Sequence, residues 1–103
     1  MITYRVTVAI PTHILDEWLS WMLEHHIPDV VATGCFCGHH IRRVLDTAHE
    51  NTTIVIDYQA ASLDAYHTYA STHAPALQQQ HTNRYGALVT ASRQILTDDL
   101  HAP

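Results

Sequence analysis

Two thiols and two imidazoles stand within seven residues, in the stretch Gly34-Cys35-Phe36-Cys37-Gly38-His39-His40. Thiolate and imidazole suit zinc or copper(I). On an extended strand Cys35, Cys37 and His39 share one face at steps of about 6.6 Å, whereas a tetrahedral zinc takes its donors at about 2.0–2.3 Å. The three diverge too far to share an ion unless a bulge at Gly38 closes them. A fourth ligand would have to come from His25, His26 or His73. The expectation is no bound metal and no cofactor, with the cysteines acting as small buried hydrophobes and the histidines at a sheet edge. A Cys35–Cys37 disulfide is not expected, because the separation is near the upper geometric limit and the chain reads as cytoplasmic.

Two other groupings carry chemistry. His26 precedes Asp29 by three residues, and Trp18 and Trp21 lie one and two turns earlier. A carboxylate that orients an imidazole fixes its tautomer and stabilises its cation, which is the usual arrangement for a general base. His73, close to Pro75, is a candidate to reach the same region from a second helix. The plainer account makes Asp29 a first-turn residue behind Pro28 and has Trp18 and Trp21 fill the core; the sharper one has the two tryptophans line a ligand cavity. Arg5 and Asp57 fall on two strands that should be neighbours, both on the face away from the helices. An ion pair is the simplest account, since an isolated buried charge is costly. The alternative is that Arg5, with Thr7 or Arg42, binds a carboxylate ligand between subunits, which makes Arg5 and Asp57 candidate ligand-binding residues.

These residues need elements to hold them. Ile2, Tyr4, Val6, Val8 and Ile10 alternate with polar or small residues, which is the period of a half-buried strand. Thr12 reads as the N-cap of a helix carrying Ile14, Leu15, Trp18, Leu19 and Met22 on one stripe. Pro28 predicts a break or kink near His26 and Ile27, and Gly34 a helical stop. Cys35–Asp46 reads as a second strand and Thr47–Asn51 as a turn. Thr53–Ala60 is a third strand. Ser62 caps a second helix, with Leu63, Tyr66, Ala70 and Leu77 on one face, interrupted at Pro75 and ended by Gly86. Ala87–Leu96 is a final strand. The order is βαββαβ, the ferredoxin-like plan of the α+β class: an antiparallel four-stranded sheet with two helices on one face. The two central strands, the first and third, are expected side by side and parallel. Residues 1–96 form one domain, and 97–103 a polar tail.

Composition narrows the function classes. The chain has 103 residues, 47% of them hydrophobic and 15% charged, an ordinary globular balance. Its formal charge is −5, with five arginines and no lysine, so nucleic acid and anionic membrane surfaces are poor partners. No apolar run is long enough to span a membrane, and the N-terminus lacks a signal-peptide layout. A domain this small is marginal alone, and the helix-free sheet face (Thr3, Arg5, Thr7, Val55, Asp57, Gln59, with Phe36, Val44 and Leu88 if the outer strands keep register) should be covered by a second copy in a homodimer.

The chain resembles an uncharacterised family of short bacterial proteins. The resemblance rests on the opening MITYRVTV, on WLSWMLEHHIPDVVATGCF, on RRVLD and on HAPALQQQHTNRYG, and it covers nearly all of residues 1–96. Cys37, His39 and His40 depart from that family's pattern of small or aliphatic residues and an arginine. The family is similar in architecture to dimeric α+β barrel proteins, among them cofactor-free monooxygenases. The resemblance implies a homodimer with a helix–sheet cavity, and it implies no particular reaction. Two functions follow as expectations: a binding or interaction module for a small apolar ligand, or a cofactor-free monooxygenase- or isomerase-like enzyme with His26 as base.

Overall fold

A computed structural model describes residues 1–45 and 50–101. Four strands, β1 (Ile2–Pro11), β2 (Gly38–Arg43), β3 (Asn51–Ala60) and β4 (Thr90–Leu96), form one sheet in the order β2-β3-β1-β4. All three neighbouring pairs are antiparallel, which corrects the parallel pairing expected for the two central strands. Each helical crossover returns the chain parallel to the strand it left but two places away, β1 to β2 and β3 to β4. The strand lying between each such pair therefore runs the opposite way.

Both crossovers are helical and have the same construction. The first runs α1 (Leu15–Trp21), a π turn (Met22–His26) and α2 (Ile27–Ala32); the second runs α3 (Leu63–Thr68), a π turn (Tyr69–His73) and α4 (Ala74–Tyr85). The disturbance expected near His26 and Ile27, a break or kink, takes the form of a π turn that leaves the helix continuous. His26 keeps helical angles, φ −68° and ψ −51°, and the Ile27 N–H bonds to the Met22 carbonyl five residues back. Proline has no N–H, and its ring presses on the preceding turn. One wider turn absorbs that misfit without ending the helix. Pro75 is accommodated in the same way, with the Ala74 N–H on the Tyr69 carbonyl.

The other ends are mixed in outcome. Ser62 accepts a bond from the Ala65 N–H, as an N-cap should. Thr12 does not cap α1: it opens a 3₁₀ turn (Thr12–Ile14), and its hydroxyl meets that of Thr52 at 3.0 Å. Gly34 and Gly86 adopt positive φ, 76° and 56°, where the chain leaves a helix.

The outer strands are shorter than the sequence suggests. Cys35 and Phe36 precede β2 because Phe36 turns under the helices and packs on Tyr4, Tyr58 and Tyr69. It is buried there, not on the helix-free face. Leu88 belongs to a 3₁₀ turn (Gly86–Leu88) and is exposed, so it does not extend β4. Val44 keeps the ladder for one more residue, its N–H on the Thr53 carbonyl. Asp46 and most of the expected Thr47–Asn51 turn lie outside the described residues. The N-terminal ammonium pairs with Asp98 of the tail.

The core lies between the sheet and the helices. Tyr4, Val8, Ile10, Ile54, Ile56 and Tyr58 supply its floor, and Leu15, Trp18, Met22, Ile27, Val30, Tyr69 and Leu77 its roof. Each fully buried aliphatic side chain contributes about 1.5–3 kcal/mol relative to exposure. On the other face Thr3, Arg5, Thr7, Val55 and Gln59 are half-buried beneath no covering element.

Candidate functional site

The candidate site is a cavity between sheet and helices, with about 40 Å³ open to the centres of water-sized atoms. By that measure one water needs about 10–15 Å³, so the space suits a few waters or one small ring. Tyr4, Val8, Ile56 and Tyr58 form its floor. Met22, His26 and Val30 come from the first helical crossover, Tyr69, Gln78 and His81 from the second, and Arg93 from β4.

His26 lines the cavity from the first crossover. It sits in the π turn, which places it over the sheet. Its ring stacks on Trp21 at 5.3 Å and meets His81 edge-on at 5.9 Å. Its Nδ1 is buried and has no hydrogen-bond partner among the described residues. Burial, then the neighbouring His81, drive its pKa down to about 4; Asp29 opposes this and Arg93 adds to it. The ring is therefore neutral at pH 7. His81 is neutral as well, because its Nε2 accepts the Trp18 indole N–H at 3.0 Å and burial and Arg93 both lower its pKa. That bond puts the imidazole proton on Nδ1.

The tryptophans thus back the imidazoles instead of lining the cavity. Trp18 is wholly buried. Trp21 is half-buried against His26, His81 and Tyr85, with the Arg84 guanidinium 5.5 Å from its ring centre. Asp29 is exposed and lines an outer surface groove with Trp21, His25 and Arg84. Among the described residues no hydrogen bond joins it to His26, so the expected oriented dyad is not formed. His26 is half-buried toward the sheet while Asp29 is exposed, although positions three apart on a helix ordinarily share a face. His73 stacks on Tyr69 at 6.5 Å and does not line the cavity. The two histidines that precede the prolines are therefore not brought to a shared site.

Burial holds the Tyr4, Tyr58 and Tyr69 hydroxyls above their ordinary pKa, with Arg93 opposing it at Tyr4 and Tyr69. Among the lining residues that sequence reasoning did not name as site residues are His81, Gln78 and Arg93. A signal for His81 existed, because Leu77, His81 and Tyr85 stand at steps of four on one helical stripe whose ends are buried.

Arg5 and Asp57 do form the ion pair. Asp57 accepts from Arg5 Nε at 2.8 Å and Nη2 at 2.9 Å, and also from Arg42 Nη2 at 2.8 Å. These bonds, led by that of Arg5, hold its pKa below the ordinary carboxylate value. The cysteine stretch is dispersed: the Cys35 thiol contacts the Thr33 carbonyl, Cys37 the Gln59 carbonyl, and His39 the Tyr58 ring. Among the described residues no group of three or more His, Cys, Asp or Glu side chains is placed to hold a metal.

Fold and cavity together define a ferredoxin-like α+β protein. Within that class the chain belongs to the family described as a domain of unknown function, DUF4286, whose model matches residues 1–98. No curated protein matches it in sequence. Among solved structures it is similar to SnoaB, a cofactor-independent oxygenase from Streptomyces nogalater, with TM-score 0.69 and 18% identity over 99% of this chain and 97% of that one. It is also similar to an ethyl tert-butyl ether d (ethd) family protein from Bacillus halodurans, with TM-score 0.67 and 10% identity over 96% and 100% of the two chains. A dimeric ferredoxin-like protein from an uncultured marine organism follows, with TM-score 0.51 and 12% identity over 96% and 97%. Identities this low establish the shared fold and nothing about activity. Among the described residues no helix is long and apolar enough to cross a membrane.

Proposed function

We propose that the chain works in the cytoplasm as a homodimer that binds a small, largely apolar molecule in the helix–sheet cavity, without a cofactor. The observation that carries this reading is the cavity itself, an aromatic-walled space with a neutral imidazole on its side. Apolar pockets with a few convergent polar groups are the usual form of small-molecule sites. Homodimerisation is supported by the uncovered sheet face and by a structural neighbour described as dimeric. Phenol or indole titrated into the protein should shift the imidazole resonances of His26 and His81, and Val30→Trp, which fills the cavity, should abolish the shift. Shifts that persist in Val30→Trp would refute cavity binding. Light scattering should show a dimer that Val55→Arg, at the centre of the bare face, weakens; a monomer at micromolar concentration would refute the assembly.

A second reading, a cofactor-free oxygenase- or isomerase-like enzyme, is favoured by one observation: His26 presents an unprotonated ring to the cavity. With a pKa near 4 it is a weak base, effective only where a bound anion stabilises its cation. On this reading Asp29 acts on His26 through its field and His73 has no contact with the reacting atoms. Deuterium exchange into a cyclic 1,3-diketone, lost in His26→Ala, tests it.

A further inference from the structure

We infer that the ligand of this cavity is a small aromatic carboxylate, held by Arg93 at the open side. The inference rests on the small-molecule reading above and specifies its ligand class. Arg93 lies on β4 opposite Val6, on the helix-facing side of the sheet, and lines the cavity while staying exposed. Arg5 and Arg42 are neutralised by Asp57, and Arg84 faces Glu17 at 3.7 Å. Arg93 has no carboxylate partner among the described residues, and none of the cavity's described lining residues is acidic. On the cavity side Arg93 and Gln78 both favour the ionised form of the Tyr4 hydroxyl, against its burial.

The field of Arg93 reaches four of the lining groups: it opposes the raised pKa of Tyr4 and Tyr69 and adds to the lowering at His26 and His81. A positive potential over an apolar cavity favours an anion with an apolar body. The planar guanidinium matches a carboxylate bidentately, while the Tyr4 hydroxyl and the Gln78 amide can donate to its oxygens. The volume limits the body to about one ring. The chain's net charge of −5 would repel anions elsewhere, so attraction here is local to Arg93.

The test compares benzoate with benzamide, its neutral counterpart of the same shape, by calorimetric titration of the full chain. Benzoate should bind at least about tenfold more tightly, the scale of one charge-assisted contact. Arg93→Gln should remove that preference and leave benzamide binding within about twofold. Arg43→Gln, the same charge change at the far edge strand, should leave both unchanged. Added salt should weaken benzoate alone, a readout on the native chain that needs no variant. Equal binding of the two compounds, or an unchanged preference in Arg93→Gln, would overturn the carboxylate assignment and spare the cavity reading. Failure of both compounds to bind would sink the two together.

Discussion

Replacing Asp57 with asparagine should destabilise the protein by about 1.5–3 kcal/mol, the range for hydrogen bonds to charged groups. The wild-type carboxylate takes two bonds from the Arg5 fork and one from Arg42. It is shielded mainly by those guanidiniums, since it lies on the open sheet face. The Arg5 side chain is 34% exposed and that of Arg42 64%. Arg42 should therefore account for only about 0–1 kcal/mol, and Arg5 for most of the loss. In the single chain the full penalty for orphaning a buried ion, about 3–5 kcal/mol, does not apply, because a released guanidinium reaches water; beneath the second copy proposed above the loss moves toward that range. Urea unfolding at fixed protein concentration, with double-mutant cycles through Arg5→Ala and Arg42→Ala, separates the two shares. The pH dependence has a definite sign. The folded pKa lies below the ordinary 3.8, so the stabilisation is complete above that value and is lost as pH falls through the folded pKa. The difference between wild type and Asp57→Asn should be flat near neutrality and shrink below 3.8. A loss under about 0.5 kcal/mol, the scale of an ordinary surface change, or a coupling to Arg42 larger than that to Arg5, would refute the reasoning.

Three further outcomes are expected. His26, with its pKa lowered from 6.5 to about 4, contributes stability present above 6.5 and lost progressively toward 4; imidazole NMR should find it neutral at pH 5, and a midpoint near 6.5 would contradict its burial. Trp18→Phe deletes the indole donor to His81 Nε2 and should cost more than the roughly 1 kcal/mol of the lost bond, because it also leaves a cavity in the core, with a change of His81 tautomer visible in nitrogen shifts. Gly86→Ala places a Cβ at φ 56°, ψ −134° and should cost about 1–3 kcal/mol in chemical unfolding; because nothing lies within 4 Å of that Cβ, a loss beyond this range would mean that backbone strain is not the cause.

The local chemistry of the chain determined the elements. Alternation from Ile2 to Ile10, the helical stripe through Leu15, Trp18 and Met22, the Ser62 cap and the glycines at 34 and 86 each act over a few residues, and all of them operate in the fold. Alternation also put Arg5 and Asp57 on one face, so their pairing was legible. The prolines marked where each helix is disturbed but not in what form, because a missing N–H says that a helix must adjust and not whether it breaks or widens by one turn. The cavity could not be read in the same way. Trp18 and His81 lie 63 positions apart, and Arg93 comes from an edge strand whose neighbour is set by the crossover. Which imidazole meets which indole, and whether His26 or Asp29 turns inward, depend on how two helices settle on the sheet. That packing is a tertiary decision: it desolvates His26, keeps Arg93 apart from the carboxylates of the described residues and leaves Asp29 in water, which no local spacing dictates.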